Sequence, residues 1–116
     1  MTLHLSDLCT ELALEHWTPT LSLDREVGSA LVGDLLSDVL AAAKPGDVWV
    51  TVQRHQNVVA VAKVTDLAAV VLARGVRPTE DVIAMAEEQG IVLLSSQEPA
   101  FDVCGRMYAV MRGVAR

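Results

Sequence analysis

The sequence has few aromatic residues, few basic residues and only two cysteines, and the last two scarcities each exclude a class of protein. Aromatic residues make up 3% of the 116 residues, so the hydrophobic content of 52% is almost entirely aliphatic. The 9 basic residues stand against 15 acidic ones, which gives a net charge of -6. Such a charge does not attract the phosphate backbone of nucleic acids or anionic lipid surfaces. We therefore expect neither nucleic acid nor a membrane as a partner.

The motifs of common catalytic and metal sites are also missing. Cys9 and Cys104 are far apart and form no CxxC pair, which indicates reduced thiols and excludes a metal knuckle or a redox motif. The sequence has no GxxxxGK[ST] phosphate loop and no GxSxG elbow. Its three histidines, His4, His16 and His55, lack the spacing of paired zinc ligands. We predict no catalytic residue, no metal site and no cofactor.

We also expect no targeting signal. No apolar run reaches the ~18 residues that a membrane-spanning helix needs. The first residues lack a basic segment and include Asp7, Glu11 and Glu15, which is not typical of a signal peptide. We therefore expect a cytoplasmic protein with a single domain over residues 1–116. Because the aliphatic content is high for a monomer of this length, we also expect a homodimer that buries part of it.

Local patterns in the amino-terminal third predict a helix followed by irregular extended chain. Leu5, Leu8 and Leu12 form a helical stripe after Ser6, a suitable N-cap, and this helix should end near His16. Residues 17–20 and 25–32 have extended character and predict two short strands or one irregular strand. Asp34 then predicts the N-cap of a second helix.

The rest of the chain predicts alternating strands and helices. The second helix stops at Lys44-Pro45-Gly46, and residues 48–52 predict a strand. Residues 57–65 are ambiguous because their β-branched valines suit a strand, but the alternation favours a helix before a parallel strand at residues 68–73. Helices starting at Thr79 and Pro99 flank a last strand at residues 91–95. This order is typical of a three-layer α/β/α domain with a mainly parallel sheet of about five strands.

Polar side chains follow the predicted strands, and the carboxyl ends of parallel strands gather at one edge of a sheet, where such folds bind ligands. Helix amino ends and arginines there would suit a phosphate or a carboxylate. The predicted ligand-binding residues are Asp34, Ser37, Thr51, Arg54, His55, Asn57, Ser95 and Ser96. The structural alternative is that Asp34 and Ser96 are helix caps and that the cluster is a hydrogen-bond network. A weaker catalytic alternative has His55 as a general base beside Asp34 or Asp38.

Several segments together resemble the DRTGG domain family. They are LDREV (23–27), DLLSDV (34–39), WVTVQ (49–53), HQN (55–57), DLA (66–68), AF (100–101) and GRMY (105–108). The likeness runs from about Asp24 onward, and DLLSDV and HxN are its more specific parts. Asp24 and Arg25 match the start of the motif that names the family, whereas Gly28-Ser29-Ala30 stands in place of TGG.

The resemblance implies a dimeric, regulatory three-layer α/β domain, with catalysis carried out elsewhere. Domains of this family stand alone or occur in HPr kinase/phosphorylase, in some phosphotransacetylases and between CBS domains of some pyrophosphatases. We therefore predict a non-catalytic regulatory or ligand-sensing module for a small anionic ligand or an adenine nucleotide. The alternative is an adaptor or assembly subunit for a partner enzyme, such as a hydrogenase-like or kinase-like protein. An enzyme is the third and weakest hypothesis.

Overall fold

The structure is a computed structural model that describes residues 2–113. Helices and strands alternate along most of the chain, as the sequence predicts. In chain order the elements are α1 (Leu5–Leu12), β1 (Glu15–His16), β2 (Ala30–Val32), α2 (Leu36–Ala42), β3 (Val48–Thr51), α3 (Gln56–Val64), β4 (Ala69–Leu72), α4 (Glu80–Gln89), β5 (Val92–Ser95) and α5 (Ala100–Arg112).

The strands form one 5-stranded sheet in the order β1-β5-β4-β3-β2. Strands β2 to β5 are parallel, and β1 pairs with β5 in the antiparallel direction. Every residue of β3, β4 and β5 is buried. These central strands are therefore covered on both faces, which explains why they read as continuous aliphatic runs.

The sheet separates two apolar cores. Helices α1 and α5 cover one face, where Leu8, Met107 and Val50 belong to the same buried cluster. Helices α2, α3 and α4 cover the other face, where Trp49 is fully buried. Successive residues of a strand point to opposite faces, so the valines flanking Trp49 enter the first core. The three-layer α/β/α fold with a mainly parallel sheet is thereby confirmed.

Helix α4 has the ends that the sequence predicts, and α3 lies one residue earlier than the predicted residues 57–65. Helix α3 forms despite its valines, and its N-cap His55 accepts the backbone N–H of Asn57 at Nδ1 over 3.1 Å. Thr79 caps α4 by accepting the backbone N–H of Val82, and Gly90 ends it with a φ of 75°. Glycine suits that left-handed position because it has no Cβ.

The predictions for the start of the chain need correction. Helix α1 ends at Leu12 and not near His16, because Ala13 adopts a left-handed conformation with a φ of 53°. His4, and not Ser6, occupies the N-cap position, and its backbone N–H donates to the Asp7 carboxylate over 2.9 Å. The first strand lies at Glu15–His16, before the predicted segment, because it pairs with the distant β5.

Two further observations concern the chain as a whole. None of the helices within residues 2–113 combines the length and the apolar character needed to cross a membrane. Both cysteines are free thiols that are partly exposed, and their partial burial raises the pKa of Cys9 and of Cys104.

Candidate ligand site at the carboxyl edge of the sheet

Strands β2 to β5 are parallel, so their carboxyl ends meet at one edge, together with the amino ends of the helices that follow. The predicted site residues all follow or end these strands. The structure joins Asp34 and Thr51 in a hydrogen-bond network, places Arg54 and His55 at an open cleft, and leaves the others outside both groups.

The first group is a hydrogen-bond network between the ends of β2 and β3. The Thr51 side chain is 2% exposed, and its hydroxyl donates to Oδ1 of Asp34 over 2.9 Å. The hydroxyl oxygen of Thr51 also accepts the backbone N–H of Gln53 over 3.2 Å, and the side-chain amide of Gln53 donates to the backbone carbonyl of Asp34. Asp34 is therefore not the N-cap of α2, a position that Leu35 occupies. Its carboxylate joins two strand ends instead.

The second group surrounds a cleft between the amino ends of α3 and α4. Its volume is about 610 Å³, and its lining residues are Gln53, Arg54, His55, Gln56, Thr79, Asp81 and Val82. Ligand sites in proteins span ~300–1,000 Å³, so this cleft has room for a small molecule. Asn57 is exposed in the first turn of α3, beside the lining residue Gln56.

The charges around the cleft are unevenly distributed. Nη1 of Arg54 donates to the carbonyl of Arg77 over 3.0 Å, which orients the guanidinium, and no carboxylate within residues 2–113 forms an ion pair with it. Because Nδ1 of His55 accepts a backbone N–H, the neutral ring carries its proton on Nε2 and can donate there. The first turn of α3 holds no acidic residue, whereas α4 begins with Glu80 and Asp81. The α3 side therefore favours an anion, and the α4 side favours hydrogen-bond donors.

The remaining predicted residues lie away from this cleft. Ser95 is 4% exposed, and its hydroxyl accepts the indole N–H of Trp17 over 2.7 Å. Ser96 is 6% exposed and accepts the backbone N–H of Glu98 over 3.1 Å. Ser37 is exposed in the first part of α2. Both buried serines thus already have intramolecular partners.

Of the eight predicted site residues, Arg54 and His55 line the cleft. The prediction missed the other five lining residues, which are Gln53, Gln56, Thr79, Asp81 and Val82. The predicted helix start at Thr79 could have pointed to the residues on α4. Strands β3 and β4 are parallel neighbours, so the helices that follow them begin at the same edge of the sheet. Among the described hydrogen bonds, none joins His55 to Asp34, and the part of the chain that the structure covers contains no group of three or more His, Cys, Asp or Glu residues able to hold a metal ion.

Comparison with known proteins identifies the family. The sequence matches the family model of the DRTGG domain over residues 9–110. The chain belongs to the DRTGG domain family. No curated protein sequence matches it.

Among solved structures, this DRTGG domain is similar to the crystal structure of the CBS and DRTGG domains of the regulatory region of Clostridium perfringens pyrophosphatase, complexed with the activator diadenosine tetraphosphate. The TM-score is 0.73 and the sequence identity is 14%. The match covers 89% of this chain but only 45% of the pyrophosphatase chain, so this DRTGG domain spans about half the length of that structure. At this identity the likeness shows a shared fold.

The residues that match the name-giving motif lie at the opposite, amino edge of the sheet. Nη1 of Arg25 is 3.1 Å from Oδ1 of Asp66, and Nη2 donates to the Asp66 carbonyl over 2.9 Å. Nη1 also donates to the carbonyl of Leu67 over 3.3 Å. Arg25 therefore fixes the turn that leads into β4. A Cβ added at Gly28 would have no contact shorter than 3.8 Å, so packing does not demand glycine there.

Proposed function

We propose that this DRTGG domain is a non-catalytic regulatory or ligand-sensing module that binds a small anionic ligand, such as an adenine nucleotide, at the carboxyl edge of its sheet. The observation that carries the proposal is the cleft between α3 and α4, into which Arg54 and His55 bring hydrogen-bond donors. The start of α3 adds backbone N–H groups and the positive end of a helix dipole.

The uneven charges of the cleft define the kind of ligand that fits. A phosphate would lie near Arg54, His55 and the start of α3, where an arginine can form charge-assisted hydrogen bonds. Asp81, across the cleft, would repel a second phosphate but would accept hydrogen bonds from hydroxyl or amino groups. A nucleotide has this polarity, because its phosphates are joined to a ribose and a base that donate hydrogen bonds.

The pyrophosphatase with the same fold supports the choice of ligand class. Its regulatory region, which contains a DRTGG domain, is complexed with an activator that is an adenine nucleotide. We extend the regulatory role and the nucleotide class to this chain as part of the proposal. We also propose that the domain is cytoplasmic and forms a homodimer, and the aliphatic composition supports the second point.

The test is a thermal-shift titration with ADP, ATP and diadenosine tetraphosphate. Bound ligand raises the melting temperature because it stabilises only the folded state. We expect at least one of the nucleotides to raise the melting temperature of the wild type. A double variant, Arg54→Ala with Asn57→Ala, should melt within a few degrees of the wild type, since both side chains are exposed, but should show no ligand-induced shift.

Arg74→Ala is the matched control, because it removes the same charge from an exposed residue after β4 that does not line the cleft. This variant should bind as the wild type does. A folded double variant with undiminished binding would remove the cleft from consideration. A double variant that unfolds readily would instead show that the cluster is structural.

A second candidate function is an adaptor or assembly subunit for a partner enzyme, such as a hydrogenase-like or kinase-like protein. Exposed apolar side chains on and beside α2 favour it: Leu35 is 60% exposed and Leu40 is 48% exposed. Purification of the tagged protein from its own cells tests this candidate. A stoichiometric partner that is lost on Leu35→Ser with Leu40→Ser would support it, and a wild type that purifies without a partner would contradict it.

A further inference from the structure

An open apolar groove lies between β2 and α5. Its volume is about 160 Å³, and Ala30, Val32, Val50, Met107, Tyr108 and Met111 contribute to its walls. Val32 pairs in register with Val50, so both side chains point to the face that α1 and α5 cover. Val50 is buried there, but Val32 is 60% exposed. Over β2, this face has no covering helix among the described residues.

Helix α5 presents an exposed stripe beside this groove. Phe101, Gly105, Tyr108 and Arg112 are exposed and follow one another at intervals of four, three and four residues, which places them on one helix face. Phe101 is 87% exposed and Tyr108 is 59% exposed. The chain has one phenylalanine and one tyrosine, and both lie on this stripe.

Gly105 has no structural reason within the described residues to lack a side chain. A Cβ added there would have nothing within 4 Å, and its φ is not in the left-handed region. Inside a helix, glycine is less favourable than alanine because it loses more conformational freedom on folding. A glycine in the middle of an exposed stripe does, however, allow the backbone of a second helix to approach closely.

We propose that the α5 stripe and the β2 groove form the contact between two copies of this chain, with the two α5 helices antiparallel across a two-fold axis. This inference rests on the homodimer proposed above and specifies its surface. In such an isologous contact each copy gives and receives the same groups. The aromatic side chains of one α5 would then enter the uncovered region over β2 of the partner copy.

Charge complementarity favours a second copy as the occupant. Asp102 lies in the first turn of α5 and Arg112 in its last turn, and both are exposed. An antiparallel pair brings the Asp102 end of each helix beside the Arg112 end of the other and also opposes the two helix dipoles. These local attractions offset the repulsion between two copies that each carry a net charge of -6.

The area available is also of the right size. A buried Phe or Tyr side chain contributes ~150–250 Å². Phe101 is 87% exposed and Tyr108 59% exposed, so the four rings of two copies still offer roughly 450–750 Å² of the ~1,000 Å² of a specific interface. The open sides of the two β2 grooves would add to this area. The exposed stripe and the groove together are thus sufficient for a small but specific contact.

The first experiment measures the mass of the full chain by sedimentation velocity and light scattering over the micromolar range. We expect the wild type to be a dimer, and Phe101→Ser and Tyr108→Ser each to raise the dimer Kd by about 10-fold or more, as for interface hot spots. Gly105→Leu should act in the same direction. Val64→Ser, which changes a side chain that is 76% exposed on α3, is the matched control and should leave the dimer intact. Circular dichroism melts would verify that each variant is folded.

Charge reversal tests the antiparallel arrangement. Asp102→Arg alone and Arg112→Asp alone should each weaken the dimer, because each places like charges opposite one another twice. Mixing the two variants should restore a mixed dimer, in which both contacts regain opposite charges. Failure of the mixture to associate would overturn the antiparallel arrangement.

The outcomes separate this surface from the other proposals. If the wild type and every α5 variant are dimeric, the proposed surface is wrong but the homodimer remains supported. A monomeric wild type would overturn both, as would a monomer whose α5 stripe captures a different protein. Nucleotide binding is measured independently by the thermal shift, so its failure would not affect this result.

Discussion

Two adjacent residues of β2 meet opposite surroundings. The side chain of Leu31 points to the face covered by α2, α3 and α4 and packs against their core, next to Trp49 in the neighbouring strand. Val32 points to the face covered by α1 and α5 and is 60% exposed. The aliphatic side chains of this sheet thus meet two environments. Helices close one face of the sheet as far as its edge strand β2, whereas the other face stays open over β2.

The largest expected effect tests the closed face. Trp49 is fully buried, and its indole N–H donates to the carbonyl of Gly33 over 2.9 Å. Trp49→Ala should lower the free energy of unfolding by about 3 to 5 kcal/mol, as large-to-small core changes do. Urea unfolding followed by circular dichroism measures it. Trp49→Phe, which keeps most of the volume, should cost less, and a loss below about 1 kcal/mol for the alanine variant would show that this face is not closed.

The comparison within β2 is tested by a matched pair of substitutions. Leu31→Ala should cost about 1 to 2 kcal/mol, at or below the low end for buried leucines because Leu31 is only partly buried. Val32→Ala should stay within about 0.5 kcal/mol, as is usual for exposed positions. Both are measured by urea unfolding at a protein concentration low enough to keep the chain monomeric. Equal losses in the two variants would mean that the groove over β2 is covered within a single copy.

The sequence predicts elements whose signals are local. Thr79 and Gly90 mark the ends of α4 correctly, because a cap and a left-handed C-cap depend only on neighbouring residues. The sequence is less informative where an element depends on residues that are distant along the chain. β1 exists because Glu15 pairs with Ser95, and a two-residue strand carries no pattern of its own. Helix α1 likewise ends at Leu12, because Ala13 after it is left-handed although alanine has no preference for that conformation.

The same distinction applies to the candidate site. Parallel topology correctly places the polar residues at one edge, but it does not say which of them bond to one another. Asp34 has the sequence context of an N-cap, yet its carboxylate accepts the hydroxyl of Thr51, 17 residues away. Likewise, the indole of Trp17 donates to Ser95, 78 residues away. Such contacts require the register of the strands, which residue patterns do not provide.

The rim of the closed face gives a smaller expected effect. Thr51→Val keeps the shape of a side chain that is 2% exposed but removes its hydroxyl, so the Asp34 carboxylate and the Gln53 N–H lose a partner. We expect a loss of about 1 kcal/mol, near the lower end for broken buried hydrogen bonds because Asp34 can turn to water. Urea unfolding measures it beside Arg54→Ala, which should cost less than about 0.5 kcal/mol as an exposed position. A larger loss for Arg54→Ala than for Thr51→Val would mean that Arg54, and not Thr51, has the structural role.

The smallest expected effect is a pH dependence at the outer side of the closed face. The Glu87 carboxylate on α4 accepts hydrogen bonds from the hydroxyl and from the backbone N–H of Thr20. These two bonds, in that order, lower the pKa of Glu87, with a smaller contribution from the charge of His16. Because the pKa is lower in the folded state than the unfolded value of about 4.3, the stabilisation is complete above that value. It is lost as the pH falls from there through the folded-state pKa.

Glu87→Gln removes this titration but keeps an oxygen that can accept from Thr20. The melting temperatures of the wild type and of Glu87→Gln should therefore differ by a constant amount near neutral pH. This difference should shrink as the pH falls below about 4.3, because only the wild type loses the charged acceptor. The other carboxylates titrate in both proteins and cancel in the difference. A constant difference across the acidic range would mean that Glu87 does not fasten the Thr20 turn to α4, and that the closed face is held at this side by packing alone.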